Sequence, residues 1–287
     1  MVIAKIMGGL GNQLFQYAAG KALAEHHQTE LKLDIRYFAS TSLRNYELHN
    51  FNINAEIATE DELIHFMPEK QSLVFRIMRE LKPYYRRKVY YEQDFHHDPN
   101  FFKAPKDVYL VGYWQSEKYF HAIASGIVKE FQIRLPQKGK NAELSRKIQN
   151  INSVSIHVRR GDYVNNPKAN QVHGLCSLDY YTDSIKFIKE KITSPHFFIF
   201  SDDIIWAKEN IKIVGPVTYV DHNREIACED FRLMSQCKNH IIANSSFSWW
   251  SAWLSQNTDK IVIVPKKWFN AEKRNTKDLL PESWIKK

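Results

Sequence analysis

The sequence predicts an α/β protein built from two Rossmann-like domains that face a shared cleft. The first observation is size: 287 residues, 44% of them hydrophobic and 25% charged, are enough to bury one large core or two modest ones. The second is that short apolar runs alternate with segments of helical periodicity in both halves of the chain. The third is a polar stretch with Pro136 and Gly139, which predicts a boundary between domains 1–138 and 139–287.

The N-terminal domain opens as a βαβ unit, which predicts a parallel sheet. Strands are predicted at three apolar runs, over residues 2–7, 31–34 and 108–111. Helices are predicted where apolar residues recur at helical spacing, over residues 13–26, 61–66, 73–81 and 119–131, the last of them capped by Ser116. Prolines interrupt residues 36–107, which are predicted to be irregular and moderately helical.

The C-terminal domain shows a regular alternation of strands and helices. A helix is predicted over residues 141–150, and strands over 154–158, 197–200, 217–220, 240–243 and 261–264. Five buried strands separated by helical segments are typical of a doubly wound α/β domain, whose ligands bind at the carboxyl ends of the strands. Polar motifs that directly follow these strands are therefore candidates for a binding site.

Charge and hydropathy narrow the function only in part. The formal net charge of +8 and the pI near 9.2 indicate an anionic partner, which can be a nucleotide, a nucleic acid or a lipid surface. No run approaches 18 apolar residues, so the sequence predicts no membrane-spanning helix. We expect a cytoplasmic protein whose contact with the inner membrane is at most peripheral.

A glycine-rich turn, GGLGN at residues 8–12, follows the first strand and opens a helix. Glycines there let the backbone approach an anion at the helix N-terminus, where free N–H groups and the helix dipole favour phosphate. The turn departs from the GxGxxG pattern at Leu14, and the lysine of a P-loop is missing. Asp34 lies at the end of the second predicted strand, where a ribose-binding acid would stand, so a dehydrogenase remains a possible function. A tight turn that needs positive φ is the structural alternative.

The motif HVRRGDY, residues 157–163, closes the first strand of the C-terminal domain. Two adjacent arginines, Arg159 and Arg160, are costly to place there unless an anion meets at least one of them. A guanidinium keeps its proton near neutral pH, so it suits neutralising the charge that grows on a departing diphosphate. Asp162 is expected to hold one arginine in position. The alternative is a solvated cluster of salt bridges.

Two acidic residues follow the next strand, in the motif Ser201-Asp202-Asp203. We expect Asp202 to contact the nucleotide, since a carboxylate accepts hydrogen bonds from a base amine or a sugar hydroxyl. Asp203 is expected to cap the helix that follows. A metal site at this pair is the less favoured interpretation, because hard cations gather more oxygen ligands than two neighbours supply.

The motif NSSFSWWSAWL, residues 244–254, follows a later strand and also opens a helix. Ser245 and Ser246, with the backbone N–H groups of Phe247 and Ser248, are predicted to form a polar cup that holds phosphate oxygens. The tryptophans of this motif are better explained by packing in the core, because their spacing sends at least one of them inward.

Three motifs in this order, GGLGNQLFQYA at residues 8–18, HVRRGDY at 157–163 and NSSFSWWSAWL at 244–254, resemble the α-1,2-fucosyltransferase family, glycosyltransferase family 11. The resemblance spans nearly the whole chain and concerns the catalytic region, without the membrane anchor of animal members. It implies a GT-B-like fold and no metal or other cofactor. It also implies inverting transfer of L-fucose from GDP-β-L-fucose to the 2-hydroxyl group of a terminal β-galactoside, on a glycan or a lipid-linked oligosaccharide.

The resemblance implies roles for individual residues. It makes Arg159, Arg160 and Asn12 catalytic, with Asn12 near the acceptor. The donor-binding residues that it implies are Gly9, Gly11, His157, Asp162, Asp202, Asn244, Ser245, Ser246, Phe247 and Ser248. Asp202 matches the guanine-reading acid of protein O-fucosyltransferases. Gln13 and Asp34 are expected on the acceptor side.

Other functions stay open at this point. The basic charge and a tyrosine-rich basic stretch at residues 82–91 suit a nucleic-acid-binding or RNA-modifying protein, and the glycine turn with Asp34 suits an NAD-dependent dehydrogenase. Glycosyl transfer that depends on a metal at Asp202 and Asp203 is a further alternative. The general base is not identified, since Asn12 is not a base and Asp34 is a weak candidate.

Overall fold

The structure is a computed structural model, and it describes residues 1–41, 44–66, 82–161, 164, 171–172, 174–224, 226–270 and 275–287. The chain divides into two compact units. The N-terminal unit comprises Met1–Arg134 and Asn275–Leu280, and the C-terminal unit comprises Leu135–Arg274 and Pro281–Lys287. The described residues of each unit form one parallel sheet with helices, which confirms the predicted α/β class.

The sheet of the N-terminal unit has five described strands, all of them parallel. They are β1 (Val2–Lys5), β2 (Leu31–Asp34), β3 (Glu56–Ile57), β4 (Val89–Tyr91) and β5 (Val108–Val111). Their order across the sheet is β3-β2-β1-β5-β4. From β1, the strands β2 and β3 are added on one side of the sheet, and β4 and β5 lie on the other side. The switch point of the sheet is therefore between β1 and β5, where the carboxyl ends of these two parallel strands lie side by side.

The helices of the N-terminal unit within the described ranges are α1 (Leu10–His26), α2 (Glu60–Phe66) and α3 (Ala124–Glu130). Helix α1 packs on β1 and β2 through its apolar face. It begins three residues earlier than predicted, because Gly9 takes the N-cap position and the last glycine of the turn becomes helical. The predicted strands and the helix at 61–66 are confirmed. The predicted helix at 73–81 lies outside the described residues.

The single helix predicted over 119–131 is wrong. The structure has two short 3₁₀ turns, Glu117–Tyr119 and His121–Ile123, before α3. Phe120 has φ −131° and ψ 9°, which are not helical values, so the backbone leaves the helical path at this residue. Its backbone N–H donates to the carbonyl of Glu117, three residues earlier, as in a 3₁₀ turn. Ser116 does cap the first turn, since its hydroxyl accepts a hydrogen bond from the N–H of Lys118.

The described sheet of the C-terminal unit has six parallel strands. They are β6 (Ser153–Val158), β7 (His196–Ser201), β8 (Val217–Val220), β9 (Asn239–Ile241), β10 (Val262–Val264) and β11 (Ile285–Lys286). The order β11-β10-β9-β6-β7-β8 is that of a Rossmann domain, with its switch point between β6 and β9. All five predicted strands are confirmed. Strand β11 was missed because two residues carry no periodicity.

The helices described in the C-terminal unit are α4 (Gly139–Asn150), α5 (Leu178–Lys191), α6 (Ile204–Asn210), α7 (Ala227–Gln236) and α8 (Ser246–Leu254). Two separate apolar clusters show that both faces of the sheet are covered. One cluster joins β6 and β7 to α5 and α6, and the other joins β7 and β8 to α4 and α7. The domain is therefore doubly wound, as the sequence predicts.

The division of the chain differs from the predicted 1–138 and 139–287 in one respect. The first change of unit falls at Arg134–Leu135, close to the prediction, but Asn275–Leu280 packs with the N-terminal unit. Asp278 explains this position: Lys118 Nζ lies 2.6 Å from its carboxylate, and the hydroxyl of Ser116 donates to its backbone carbonyl at 2.7 Å. Six residues without apolar periodicity gave no sequence signal for this contact.

None of the helices in the described part of the chain has the length and apolar character needed to cross a membrane.

Candidate functional site

The predicted binding motifs of the C-terminal unit meet at its switch point. The motif with Arg159 and Arg160 follows β6, and the motif that opens α8 follows β9. Strands β6 and β9 are hydrogen-bonded neighbours, with Ile156 paired to Ile241, so the segments after them emerge at one edge of the sheet. Ligands of doubly wound sheets bind in the crevice at such an edge.

Asp202 organises the loop that carries the two arginines. Its Oδ2 lies 2.9 Å from Nη1 of Arg159, and its Oδ1 accepts a hydrogen bond from the backbone N–H of Arg160 at 2.8 Å. Gly161 leaves room for this contact, because a Cβ there would lie 2.9 Å from the same Oδ2. Asp202 was predicted to contact the nucleotide, but both of its oxygens are engaged by the loop. Asp162, which was also predicted to hold one arginine in position, lies outside the described residues.

Arg160 is held in a different way. Its guanidinium carbon lies 3.7 Å from the centroid of the Trp206 ring, a cation–π distance. Its Nε is 3.7 Å from Oδ2 of Asp203, and no described residue accepts a hydrogen bond from this buried Nε. Asp203 caps α6, as predicted, because its carboxylate accepts a hydrogen bond from the N–H of Trp206 at 3.2 Å.

His157 is a buried, neutral histidine beside the arginine loop. Burial and the positive charge of Arg159 lower its pKa to about 4, while Asp202 opposes this shift. The imidazole ring lies 5.6 Å from the ring of Phe247, and no group in the described chain bonds its Nδ1. At neutral pH this side chain can therefore donate one hydrogen bond to a ligand without adding charge.

The N-terminus of α8 provides a second group of donors. Ser245 occupies the N-cap with an extended backbone, and its side chain makes no capping hydrogen bond within the described helix. The first N–H groups of a helix have no partner in the helix itself, so they are available to an anion. Ser245, Ser246 and Phe247 are half-buried at this position, and the polar cup that they were expected to form stays a prediction.

Asn244 and Ser248 support the turn from the inside. The amide of Asn244 donates to the carbonyls of Gly174 and Trp268, at 3.3 and 3.2 Å. The hydroxyl of Ser248, which is fully buried, donates to the carbonyl of Ala243 at 3.4 Å. Asn244 was predicted to bind the donor through its side chain, and Ser248 through its backbone N–H, which the hydroxyl contact leaves untested. Both side chains are directed into the protein, because carbonyl groups in a buried turn need hydrogen-bond donors.

The tryptophans after this turn pack in the core, as the sequence analysis favoured. Trp249 and Trp250 are fully buried, and the ring of Trp249 lies 5.4 Å from that of Trp284, next to strand β11. These rings anchor α8 and therefore fix the direction in which its N-terminus points. They are not positioned to stack on a base or a sugar.

The glycine turn of the N-terminal unit is shaped by Gly8. Its φ is +79°, and a Cβ at this position would lie 2.8 Å from Nδ2 of Asn12. Glycine is required here for both reasons. Gly9 has an ordinary φ of −79° and is the N-cap of α1 without a side-chain cap, while Gly11 is buried in the first turn. The first N–H groups of this helix have no acceptor within the helix itself, and the binding of phosphate to them stays a prediction.

Asn12 is bound to a residue that the sequence analysis missed. Nε2 of Gln115 donates to its Oδ1 at 2.7 Å. Gln115 follows β5, the strand beside β1, so the switch point of this sheet brings the two amides together. The signal available in the sequence was its position four residues after a buried strand. This hydrogen bond orients the Asn12 amide, whose side chain is partly exposed.

Gln13 does not face a ligand. It is fully buried, and its Nε2 donates to the carbonyls of Gly8 and Asn45 at 3.0 and 2.8 Å. Its Oε1 accepts a hydrogen bond from the N–H of Glu47 at 2.9 Å. The prediction that Gln13 binds the acceptor is therefore wrong: the side chain ties the glycine turn to the loop at residues 45–47.

Burial raises the pKa of the Glu47 carboxyl, and Arg44 opposes this shift.

Asp34 is likewise a structural residue. Its carboxylate accepts hydrogen bonds from Nε and Nη2 of Arg36 at 3.0 and 2.9 Å, and from the hydroxyl of Tyr109 at 2.6 Å. Burial raises the pKa of Asp34, but these donors outweigh burial and hold the pKa below its usual value. The expected acceptor contact is wrong for this side chain, and it is poorly suited to take up a proton.

Within the described residues, no group of three or more His, Cys, Asp and Glu side chains is arranged to hold a metal ion. The pair Asp202 and Asp203 is engaged with arginine and with a helix N-terminus, as described above. Among the residues described in the loop after β6, positive charge is supplied by the guanidinium groups of Arg159 and Arg160.

Comparison with known proteins finds relatives that match the chain over its whole length. A family model described as "Glycosyl transferase family 11" matches residues 1–287. The chain is 37% identical over 295 residues to an alpha-1,2-colitosyltransferase of Escherichia coli, with 100% of this chain and 98% of that protein covered. It is 36% identical over 306 residues to the O-antigen biosynthesis glycosyltransferase WbnK of Escherichia coli, with 98% of both covered.

More distant relatives share part of the chain or only the fold. Galactoside alpha-(1,2)-fucosyltransferase 2 of Hylobates lar is 27% identical over 171 residues, which are 57% of this chain and 48% of that protein. The solved structure of an Arabidopsis thaliana FUT1 mutant in complex with GDP has a TM-score of 0.51 at 13% identity, with 98% of this chain and 75% of that chain covered. This similarity confirms a GT-B-like fold.

Proposed function

Because the chain belongs to glycosyltransferase family 11, we propose that it is an inverting transferase that moves L-fucose from GDP-β-L-fucose to the 2-hydroxyl group of a terminal β-galactoside. The observation that carries the proposal is the arginine loop beside the N-terminus of α8, at the switch point of the C-terminal sheet. The relative from Hylobates lar is a galactoside α-1,2-fucosyltransferase. In this proposal the new linkage is α-1,2.

Transfer of colitose is the second candidate, because a relative at 37% identity over the whole chain is an alpha-1,2-colitosyltransferase. The same phosphate site serves both reactions, since it binds the diphosphate and not the sugar. A comparison of transfer rates from the two donors, measured with the same enzyme preparation, decides between the two sugars.

The leaving group sets the main chemical demand. The bond between the fucose anomeric carbon and the phosphate oxygen breaks with its electron pair on GDP, while the acceptor oxygen bonds to the opposite face of that carbon. Positive groups that meet the phosphates stabilise the charge as it develops. In the proposal Arg160 supplies this charge, the cup at Ser245 and Ser246 binds phosphate oxygens, and neutral His157 adds one donor. The proposed mechanism uses no metal ion and no cofactor.

The proton of the attacking hydroxyl also needs an acceptor. In this proposal the acceptor sugar binds at the glycine turn of the N-terminal unit, next to Asn12, and Glu47 takes the proton. Two observations support Glu47: its backbone is tied to the glycine turn through Gln13, and burial raises its pKa. Asp34, the weak candidate of the sequence analysis, is held by Arg36 and Tyr109. Glu47→Gln should lower kcat with little change in donor KM, while Glu60→Gln, an exposed control, should not.

We base the proposed acceptor and location on one relative. WbnK is an O-antigen biosynthesis glycosyltransferase, which supports a glycan or a lipid-linked oligosaccharide as the acceptor. Such an acceptor would be met in the cytoplasm, at the surface of the inner membrane, and the net charge of +8 suits a surface with anionic lipids.

The test is a donor screen with GDP-fucose and GDP-colitose against a panel of β-galactosides, with linkage and anomeric configuration read by NMR. Arg160→Ala, if folded, should lower turnover on the order of a hundred-fold or more. Full activity in excess EDTA is expected. In a thermal-shift assay GDP should protect the fold, while NAD and single-stranded RNA should not. A folded Arg160→Ala variant with near-normal turnover would overturn the proposal.

A further inference from the structure

The two arginines after β6 are held by different parts of their guanidinium groups. Arg159 uses its edge, since Nη1 lies 2.9 Å from Asp202 Oδ2. Arg160 uses its face, since its guanidinium carbon lies 3.7 Å from the centroid of the Trp206 ring. A guanidinium has five N–H groups in its plane and none on its face. A contact through the face therefore leaves the hydrogen-bonding edge of Arg160 available for a ligand.

The second partner of Arg160 does not occupy that edge either. Oδ2 of Asp203 is 3.7 Å from Nε, too far for a hydrogen bond, and no hydrogen-bond acceptor in the described residues reaches this buried Nε. A buried donor without an acceptor costs free energy unless a ligand or water satisfies it. Arg160 is thus the arginine prepared to bind an oxyanion, whereas Arg159 braces the loop against Asp202.

Trp206 is itself fixed in place. It lies in the first turn of α6, and its backbone N–H donates a hydrogen bond to the capping carboxylate of Asp203 at 3.2 Å. Its partly buried ring contributes to the apolar cluster of the C-terminal unit. The ring is therefore a rigid support for the flexible arginine side chain, and rigid support is what places charged groups accurately at a reacting centre.

We propose that Trp206 is a positioning residue, whose indole face holds the Arg160 guanidinium so that the edge of this group meets the pyrophosphate of the sugar nucleotide. This inference rests on the proposed function and adds to it a residue that touches neither substrate. It makes a specific demand: Trp206 matters only for ligands that carry the phosphates.

The test compares the affinities of GDP and guanosine, measured by calorimetry, in the wild type, in Trp206→Leu and in Trp206→Phe. Trp206→Leu should weaken GDP binding on the order of tenfold and leave guanosine binding unchanged, because only the cation–π support is lost. Trp206→Phe keeps an aromatic face and should restore most of the affinity for GDP. Ile205→Ala, an exposed neighbour in α6, is the matched control and should bind both ligands like the wild type.

A double-mutant cycle completes the test. In the background of Arg160→Met, Trp206→Leu should cause no further loss of GDP affinity. Trp206→Met replaces the leucine variant if the latter does not fold. Unchanged GDP binding in Trp206→Leu, or an equal loss of GDP and guanosine binding, would overturn the role of Trp206. If the wild type does not bind GDP at all, the proposed function itself fails, so the two failures are distinguishable.

Discussion

The carboxylate of Asp202 lies 2.9 Å from the guanidinium of Arg159. The two residues are 43 positions apart in sequence, but they follow neighbouring parallel strands in register, with Val158 paired to Ser201. The pairing of the two strands therefore places Asp202, which follows β7, next to the loop that follows β6. The arginine loop is shaped before any ligand arrives, which lowers the cost of ordering it on binding.

Replacing Asp202 with Asn should loosen the arginine loop. The amide oxygen can still accept the N–H of Arg160, but the ion pair with Arg159 is lost. We expect a donor KM raised several-fold and a stability loss of roughly 1–2 kcal/mol, because the pair is three-quarters buried. Steady-state kinetics and urea unfolding measure both. Asp221→Asn, which breaks an exposed pair with Lys208, should change neither; equal effects of the two substitutions would contradict the assignment.

Gly8→Ala should destabilise the N-terminal unit by about 1–2 kcal/mol, because φ is +79° and the new Cβ would lie 2.8 Å from the Asn12 amide. Displacing Asn12 should also weaken its hydrogen bond with Gln115. Gly126→Ala is the control. It lies in α3 with open space around it, so it should stabilise the protein by about 0.5–1 kcal/mol. Thermal unfolding of both variants tests whether the two substitutions change stability in opposite directions, and a stabilised Gly8→Ala variant would refute the prediction.

Two buried histidines should make the fold sensitive to acid. Burial lowers the pKa of His157 to about 4 and that of His240 to about 3, with nearby positive charge acting in the same direction. In the unfolded chain both protonate near pH 6.5, so the unfolded state binds more protons as pH falls below that value. At pH 5 we expect a loss of about 2 kcal/mol for each histidine relative to pH 8.

Urea unfolding between pH 8 and pH 4.5 measures this slope. His240→Asn should be less stable than the wild type at pH 8, because the bond between Ser155 and the histidine ring is replaced imperfectly. Its stability should fall less steeply toward acid, since one titrating group is gone. A slope identical to that of the wild type would show that His240 does not titrate in this way.

Asp230 should act in the opposite direction. Burial raises its pKa to about 6, although a hydrogen bond from Asn223 opposes the shift. The contribution of this group to stability is complete below the unfolded pKa near 4 and is lost as pH rises through 6. Asp230→Asn, which keeps an acceptor for Asn223, should therefore stabilise the protein at pH 8 by up to about 3 kcal/mol and have little effect at pH 4. Thermal unfolding at both pH values decides, and an equal change at both would contradict the assignment.

The strands were well predicted because buried parallel strands are continuous apolar runs with few alternatives. The elements that were missed are those without such a pattern. Strands β3 and β11 have two residues each, and β4 has three. The segment Asn275–Leu280 is recognised only through Asp278 and its distant partners. The helix predicted over 119–131 failed because propensity does not reveal the local break at Phe120.

The site was predicted less well than the fold, for one physical reason. A polar residue after a strand can serve a ligand or the carbonyl groups of its own turn, and the sequence signal is the same. Asn244 and Ser248 serve the turn, and Gln13 joins two loops. Asp203 was predicted correctly because N-capping is a local event. Trp206 gave no signal, because its partner Arg160 is distant in sequence, and the position of Gln115 after β5 did not reveal its distant partner Asn12.

The assignment of Asn275–Leu280 to the N-terminal unit means that the polypeptide passes between the units three times, at residues 134–135, 274–275 and 280–281. Neither unit is a continuous stretch of sequence: after a cut at the first junction, the C-terminal fragment carries Asn275–Leu280 of the N-terminal unit, and the N-terminal fragment lacks this segment. Leu279 and Leu280, buried in the whole chain, would be exposed to solvent in the C-terminal fragment. Expression of either half alone should therefore yield an aggregation-prone product, and co-expressed halves should be soluble together.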